Sequence, residues 1–152
     1  MHPEDKLREM GLVLPDLPSP IATYVSFKRD GDVAYLSGQG PRRPDGTYPT
    51  GKVGGGVSVE DAYGHSRTVG LGLLAAAKAA AGDLAKVEIL KELGMVNAVP
   101  DFADQPKVIN GCSDLFVAVL GERGRHARSA VGFGSLPNNM TVEIEAVIRI
   151  HA

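Results

Sequence analysis

An arginine and a glutamate near the C-terminus carry the clearest chemical possibilities in this chain. Arg128 stands in His126-Ala127-Arg128-Ser129-Ala130-Val131, and Glu143 lies in Val142-Glu143-Ile144-Glu145. A guanidinium grips a carboxylate through two parallel N–H···O bonds. A carboxylate beside a water molecule can orient it or take its proton. Ala127 to Gly134 has the small-residue, glycine-bounded composition of a strand, and Leu136-Pro137-Asn138-Asn139 reads as a turn. Val142 to Ile150 then alternates, with Val142, Ile144, Ala146, Ile148 and Ile150 on one face and Glu143, Glu145 and Arg149 on the other. Two adjacent antiparallel strands joined by that turn would bring Arg128 and Glu143 to the same level. Such a pair is either a cross-strand ion pair of small energetic weight or a polar site on rigid supports.

The elements that must hold these residues can be read along the chain. Pro3 to Met10, with proline at its start and acids in its first turn, predicts a short helix closed by Gly11. Pro15, Pro18 and Pro20 make an extended lead-in, so residues 1–20 precede the main body of one domain spanning 1–152. Thr23 to Lys28 and Val33 to Gln39 predict a hairpin turning at Arg29 to Asp32. Pro44 to Gly56 reads as loop. Its Gly54-Gly55-Gly56 run lacks the lysine and serine of a phosphate loop and suits a segment beside the site's entrance.

Ser58 is an N-cap for a helix running to Ala81, its apolar face carrying Ala62, Val69, Leu73, Ala76, Ala77 and Ala80, with His65 and Arg67 on the exposed side. Leu84 to Ala98 fits a helix by its Lys, Glu and Leu content and a strand by alternation through Val87 and Ile89. A second long helix begins at Gln105 or Pro106 and ends at Leu120, with Cys112 as a small buried residue. No histidine is spaced to activate that thiol.

The chain has 152 residues, 43% of them apolar, which is enough for one core and too few for two ordinary domains. With 5% aromatics and 19 glycines, that core must rest on Ala, Val, Leu and Ile. A net charge of −2 argues against a surface that coats nucleic acid. One cysteine allows no internal disulfide and fits a reducing compartment. No apolar run is long enough to span a bilayer, and the charged first ten residues lack the middle of a signal peptide, so a cytoplasmic protein is expected.

Taken together, His-Ala-Arg-Ser-Ala-Val, Leu-Pro and Val-Glu-Ile-Glu-Ala-Val resemble the C-terminal signature of the Rid (YjgF, reactive intermediate deaminase) family, including its interval from Arg128 to Glu143. Ser37-Gly38-Gln39-Gly40-Pro41 resembles that family's Ser-Gly-Gln-x-Pro segment. Tyr24 resembles its N-terminal site tyrosine, and Asn110 the asparagine of its second long helix. The likeness runs from about Pro20 to the end. It makes Leu84 to Ala98 the third strand, with its extra charges and Gly94 marking a bulge.

The resemblance implies an α+β, chorismate-mutase-like domain: a mixed sheet with two long helices on one face, three copies meeting as a homotrimer with sites between subunits. It further implies hydrolysis of 2-imino and enamine acids to 2-ketoacids and ammonia, with no cofactor and no metal. Arg128 would hold the substrate carboxylate and Glu143 the attacking water. Tyr24, Ser37, Gly38, Asn110, Ser129 and Ala130 would complete the pocket. By alternation alone His126, two before Arg128, points to Arg128's side and is expected at the site's rim. The chain departs from the RidA branch at Ala130, where that branch often has cysteine, which points to a separate branch. Two other functions compete: a non-catalytic module binding small carboxylated metabolites, and RNA cleavage, supported only by the basic run Arg123, Arg125, Arg128.

Overall fold

Among the described residues the α-helices and β-strands follow in the order α1 (Pro3–Glu9), β1 (Phe27–Asp30), β2 (Val33–Gln39), α2 (Val59–Ala81), β3 (Val87–Asn97), α3 (Gln105–Leu120), β4 (Ala127–Phe133) and β5 (Val142–Ile150). This computed structural model describes residues 1–17 and 23–152; Pro18 and Pro20 of the expected lead-in lie outside them. The strands form one mixed sheet in the order β1-β2-β5-β3-β4, with β3 and β4 parallel and the other neighbours antiparallel. The α+β arrangement expected from the element order is the one observed.

Local chemistry accounts for the helix ends. Ser58 Oγ accepts the Asp61 amide at 3.0 Å, and Glu60 and Asp61 place negative charge on the α2 N-terminus. Gly82, at φ +80°, closes α2 in the left-handed region, where a side chain would be strained. The first helix starts at its proline and stops before Gly11, as read from sequence.

Alternation decides which sheet face is covered. Val142, Ile144, Ala146, Ile148 and Ile150 of β5 are buried beneath the helices with Ala34 and Leu36 of β2. Phe116, Leu73, Ile89 and Ile109 are fully buried there, and each contributes roughly 1.5–3 kcal/mol through loss of apolar surface. The other face leaves Tyr35, Val131 and Phe133 exposed.

The two long helices approach closely because glycine lies at their crossing. A Cβ added to Gly111 of α3 would fall on the Tyr63 carbonyl oxygen of α2. Gly111→Ala must therefore push the helices apart, an overpacking that costs about 1–3 kcal/mol. Thermal melts should show a Tm lower by roughly 2–12 °C. An unchanged melt would mean the crossing is looser than this geometry.

Three local expectations change. β1 starts at Phe27, so Thr23 to Ser26 precede the strand. Leu84 to Lys86 forms a single 3-10 turn and β3 then runs Val87–Asn97; the bulge signalled by the extra charges and Gly94 falls between Ile89 and Lys91. Gly54 and Gly55 lie against Val99, and Gly54 against Phe102 as well; the Gly54 to Gly56 run is not among the residues lining the Glu143 cavity.

Candidate functional site

The sheet order separates the two residues that the turn was expected to join. β4 pairs with β3, in parallel, and β5 pairs with β2 and β3, so β3 lies between Arg128 and Glu143. The segment after Phe133 carries the chain across β3 and does not form a tight hairpin. A helical crossover through α3 makes the parallel β3–β4 pairing possible. The expectation of adjacent strands is thus overturned.

Glu143 points into a cavity of about 670 Å³. Tyr24, Ser37 and Gly38 line it as well, together with Gln39, Arg42, Arg43, Tyr48, Met140 and the lead-in residues Val13 to Leu17. The backbone of Gly38 passes close to the carboxyl: a Cβ there would lie 2.8 Å from Glu143 Oε2. Gln39 Nε2 donates to the Gly72 carbonyl at 3.1 Å and so ties the end of β2 to α2. Ser37 Oγ donates to the Val25 carbonyl at 2.5 Å, which holds the segment carrying Tyr24, itself 52% exposed. Burial pushes the Glu143 carboxyl above its ordinary range, and Glu145 two positions on adds repulsion. A carboxyl tuned upward beside a cavity suits proton transfer.

Arg128 lies at the opposite edge of the sheet and faces α3. Its Nη1 donates to Ser113 Oγ at 3.0 Å and its Nη2 to the Pro106 carbonyl at 3.4 Å. Asn110 falls on the same helical stripe, four residues after Pro106 and three before Ser113. Ala130 shares the Arg128 face of β4 and packs on the core, whereas Ser129 turns to the other face and accepts from Lys91 Nζ at 3.2 Å. Within one chain, the predicted residues therefore fall into two groups: Tyr24, Ser37, Gly38 and Glu143 at the cavity, and Asn110, Arg128 and Ala130 at the β4–α3 edge.

His126 is not a rim residue. Its side chain is 4% exposed and its Nε2 sits 2.6 Å from Glu92 Oε2, while Nδ1 meets the Gly124 carbonyl at 2.6 Å. Ser113 Oγ donates to the same Glu92 oxygen at 2.7 Å. Burial alone would lower the His126 pKa, but the Glu92 hydrogen bond, the Gly124 carbonyl and the Glu92 charge outweigh it and raise the value. Burial, with Glu92 next to it, pushes the Cys112 thiol well up, so this thiol is not a nucleophile in waiting.

Sequence reasoning missed Glu92. Counting by twos from Val87 and Ile89 sends it outward; the bulge at Ile89–Lys91 reverses the phase and buries it beneath α3. The signal was the strand's excess charge, which with Gly94 marked a bulge without fixing its position. His65 also differs from expectation: it is half-buried, its Nδ1 2.9 Å from Thr141 Oγ1, and burial lowers its pKa. Arg67 is half-buried too.

The basic run splits apart. Arg123 donates to the Ala85 carbonyl at 2.9 Å, Arg125 pairs with Glu122 at 3.4 Å, and Arg128 turns to α3. Among the described residues, no helix is long and apolar enough to cross a membrane.

A family model described as "YjgF/chorismate mutase-like, putative endoribonuclease" matches residues 4–147. Protein TCP17 of Trypanosoma cruzi is 37% identical over 147 residues, covering 95% of this chain and 92% of its own. The crystal structure of Atu1372 from Agrobacterium tumefaciens is 44% identical with a TM-score of 0.89, covering 97% of this chain and 93% of that one. RidA from the Antarctic bacterium Psychrobacter sp. PAMC 21119 is 26% identical with a TM-score of 0.62, covering 88% and 94%. The higher similarity to TCP17 and Atu1372 than to RidA agrees with the departure at Ala130. Fold and matched span converge: the chain belongs to the YjgF/chorismate-mutase-like family, on the branch that includes TCP17 and Atu1372.

Proposed function

We propose that this protein hydrolyses reactive 2-imino and enamine acids to 2-ketoacids and ammonia, at a site completed when two copies meet. The observation that carries this reading is the division of the site. Glu143 lies with Tyr24, Ser37 and Gly38 at one cavity, while Arg128 sits across β3 at the far edge of the same sheet. The cavity's own cations, Arg42 and Arg43, stand on the loop after β2, with Arg43 Nη1 donating to Thr47 Oγ1. Arg128, the guanidinium that the family resemblance assigns to the substrate acid, stands at an edge without a base. A neighbouring copy that sets its β4–α3 edge against the cavity supplies the missing half.

In the composite site, Arg128 takes the substrate carboxylate through its forked N–H groups. The imine reacts as its protonated iminium ion: water attacks the carbon while Glu143 accepts one of its protons, giving a neutral tetrahedral amino alcohol. Glu143 returns that proton to nitrogen, the C–N bond breaks as the carbonyl forms, and the hydroxyl proton passes to Glu143 and from it to the departing ammonia. The imine is already electrophilic, so holding it beside an oriented water lowers much of the barrier.

Two measurements test the reading. An amino-acid oxidase generating 2-imino acid should release ketoacid faster when the purified protein is added. Coexpression of Arg128→Ala with Glu143→Gln, each strongly impaired alone when assayed well below KM, should then restore activity. Random assembly puts an intact arginine opposite an intact glutamate at about one quarter of interfaces, so roughly a quarter of wild-type activity is expected. No acceleration with several imines rejects hydrolysis; acceleration without complementation rejects the shared site.

A further inference from the structure

Glu92 is a fully buried carboxylate standing directly opposite Arg128 in the β3–β4 register. An arginine next to such an anion would ordinarily be consumed by it, yet the two are separated by one hydroxyl. Ser113 Oγ receives Arg128 Nη1 at 3.0 Å and itself donates to Glu92 Oε2 at 2.7 Å. The partner of Glu92 is His126, whose two ring nitrogens each lie 2.6 Å from an acceptor, Glu92 Oε2 and the Gly124 carbonyl oxygen. With Glu92 ionised, both contacts are hydrogen bonds only if both nitrogens carry protons, which makes the ring an imidazolium. Glu92 and His126 then cancel, and the net charge of the cluster is the one on Arg128. Glu92 Oε1 has no hydrogen-bond partner among the described residues, so this carboxylate keeps an acceptor in reserve.

We propose that His126 is a positioning residue for Arg128: by holding the Glu92 carboxylate, the imidazolium keeps the neighbouring guanidinium available to an anionic ligand, and its deprotonation surrenders Arg128 to Glu92. This rests on the reading of Arg128 as the carboxylate grip, and adds the device that leaves the grip unspent. The groups facing the imidazole are few. Glu92 comes from β3, Ser113 and Phe116 from α3, with the Phe116 ring edge-on at 5.7 Å, and Arg128 from β4. Cys112 of α3 lies next to Glu92. The turn before β4 offers only the Gly124 carbonyl, since Arg123 and Arg125 are engaged elsewhere.

The test is pyruvate binding by calorimetry across pH 5.5–8.5, a range through which pyruvate stays an anion. Wild-type affinity should fall as pH rises past the folded pKa of His126, which lies above 6.5. His126→Gln leaves the carboxylate unmatched and should bind at least about tenfold more weakly at pH 6, with no pH dependence. Adding Glu92→Gln to it removes the competing anion and should restore affinity to within about threefold of wild type at pH 6. Tight binding by His126→Gln, or a double variant as weak as the single, overturns the inference when Arg128→Ala abolishes binding. Pyruvate binding that survives Arg128→Ala overturns the grip itself. If the variants do not fold, nitrogen NMR of the wild-type ring still decides: a neutral His126 at pH 6 overturns the proposal.

Discussion

Glu143→Gln should slow imine hydrolysis by about 10²–10⁴-fold while leaving pyruvate affinity within about twofold of wild type, because it removes a proton acceptor and retains the shape of the side chain. The cavity geometry explains the split. The carboxyl is pressed against the Gly38 backbone, and glutamine fills the same space. The wild-type rate should fall on the acid side as pH drops through a value above the ordinary 4.5, since burial and Glu145 both favour the protonated acid. Stability moves the opposite way. A carboxyl with a raised folded pKa contributes stability that is complete below the unfolded pKa and is lost as pH rises through the folded value. At pH 7 the charged form is therefore a burden on the fold, and Glu143→Gln should melt at a higher temperature than wild type. A variant that is less stable and equally active would remove Glu143 from the mechanism.

That trade between function and stability was only partly readable from the chain. Alternation in Val142 to Ile150 placed Glu143 away from the core because its period of two is unbroken. The capping of α2 by Ser58 and its end at Gly82 followed from local chemistry that tertiary packing does not override. Register failed at two places where one residue or one strand changes everything. The bulge at Ile89–Lys91 inverts the remainder of β3, and with it the fate of Glu92. The link from β4 to β5 spans β3, a choice made by the parallel α3 crossover and invisible to any local count. Arg128 and Glu143 were thus identified by residue type and motif, while their separation became visible only with the strand order.

Arg128→Ala should raise KM for the imino acid about 10–150-fold, the loss expected when a charge-assisted hydrogen-bonded pair worth roughly 1.5–3 kcal/mol disappears. Arg128→Lys restores the charge but not the planar fork, and an ammonium offers no two parallel N–H groups to meet both carboxylate oxygens while another holds Ser113, so at least about a tenfold deficit should persist. Melting temperatures should move little for either variant, because the guanidinium is half-exposed and its contacts are limited to Ser113 and the Pro106 carbonyl. A spectroscopic consequence accompanies the kinetic one. Arg128 holds the His126 pKa down, so its removal should raise the imidazole pKa further. This separates loss of the cation from loss of the fold, which would release His126 toward its ordinary value. Kinetics then divide the labour: the arginine variants should show the defect in KM, the glutamine variant at 143 in kcat. An arginine variant whose KM is unchanged and whose kcat collapses would mean that the guanidinium acts on the reacting atoms, not on the substrate's acid group.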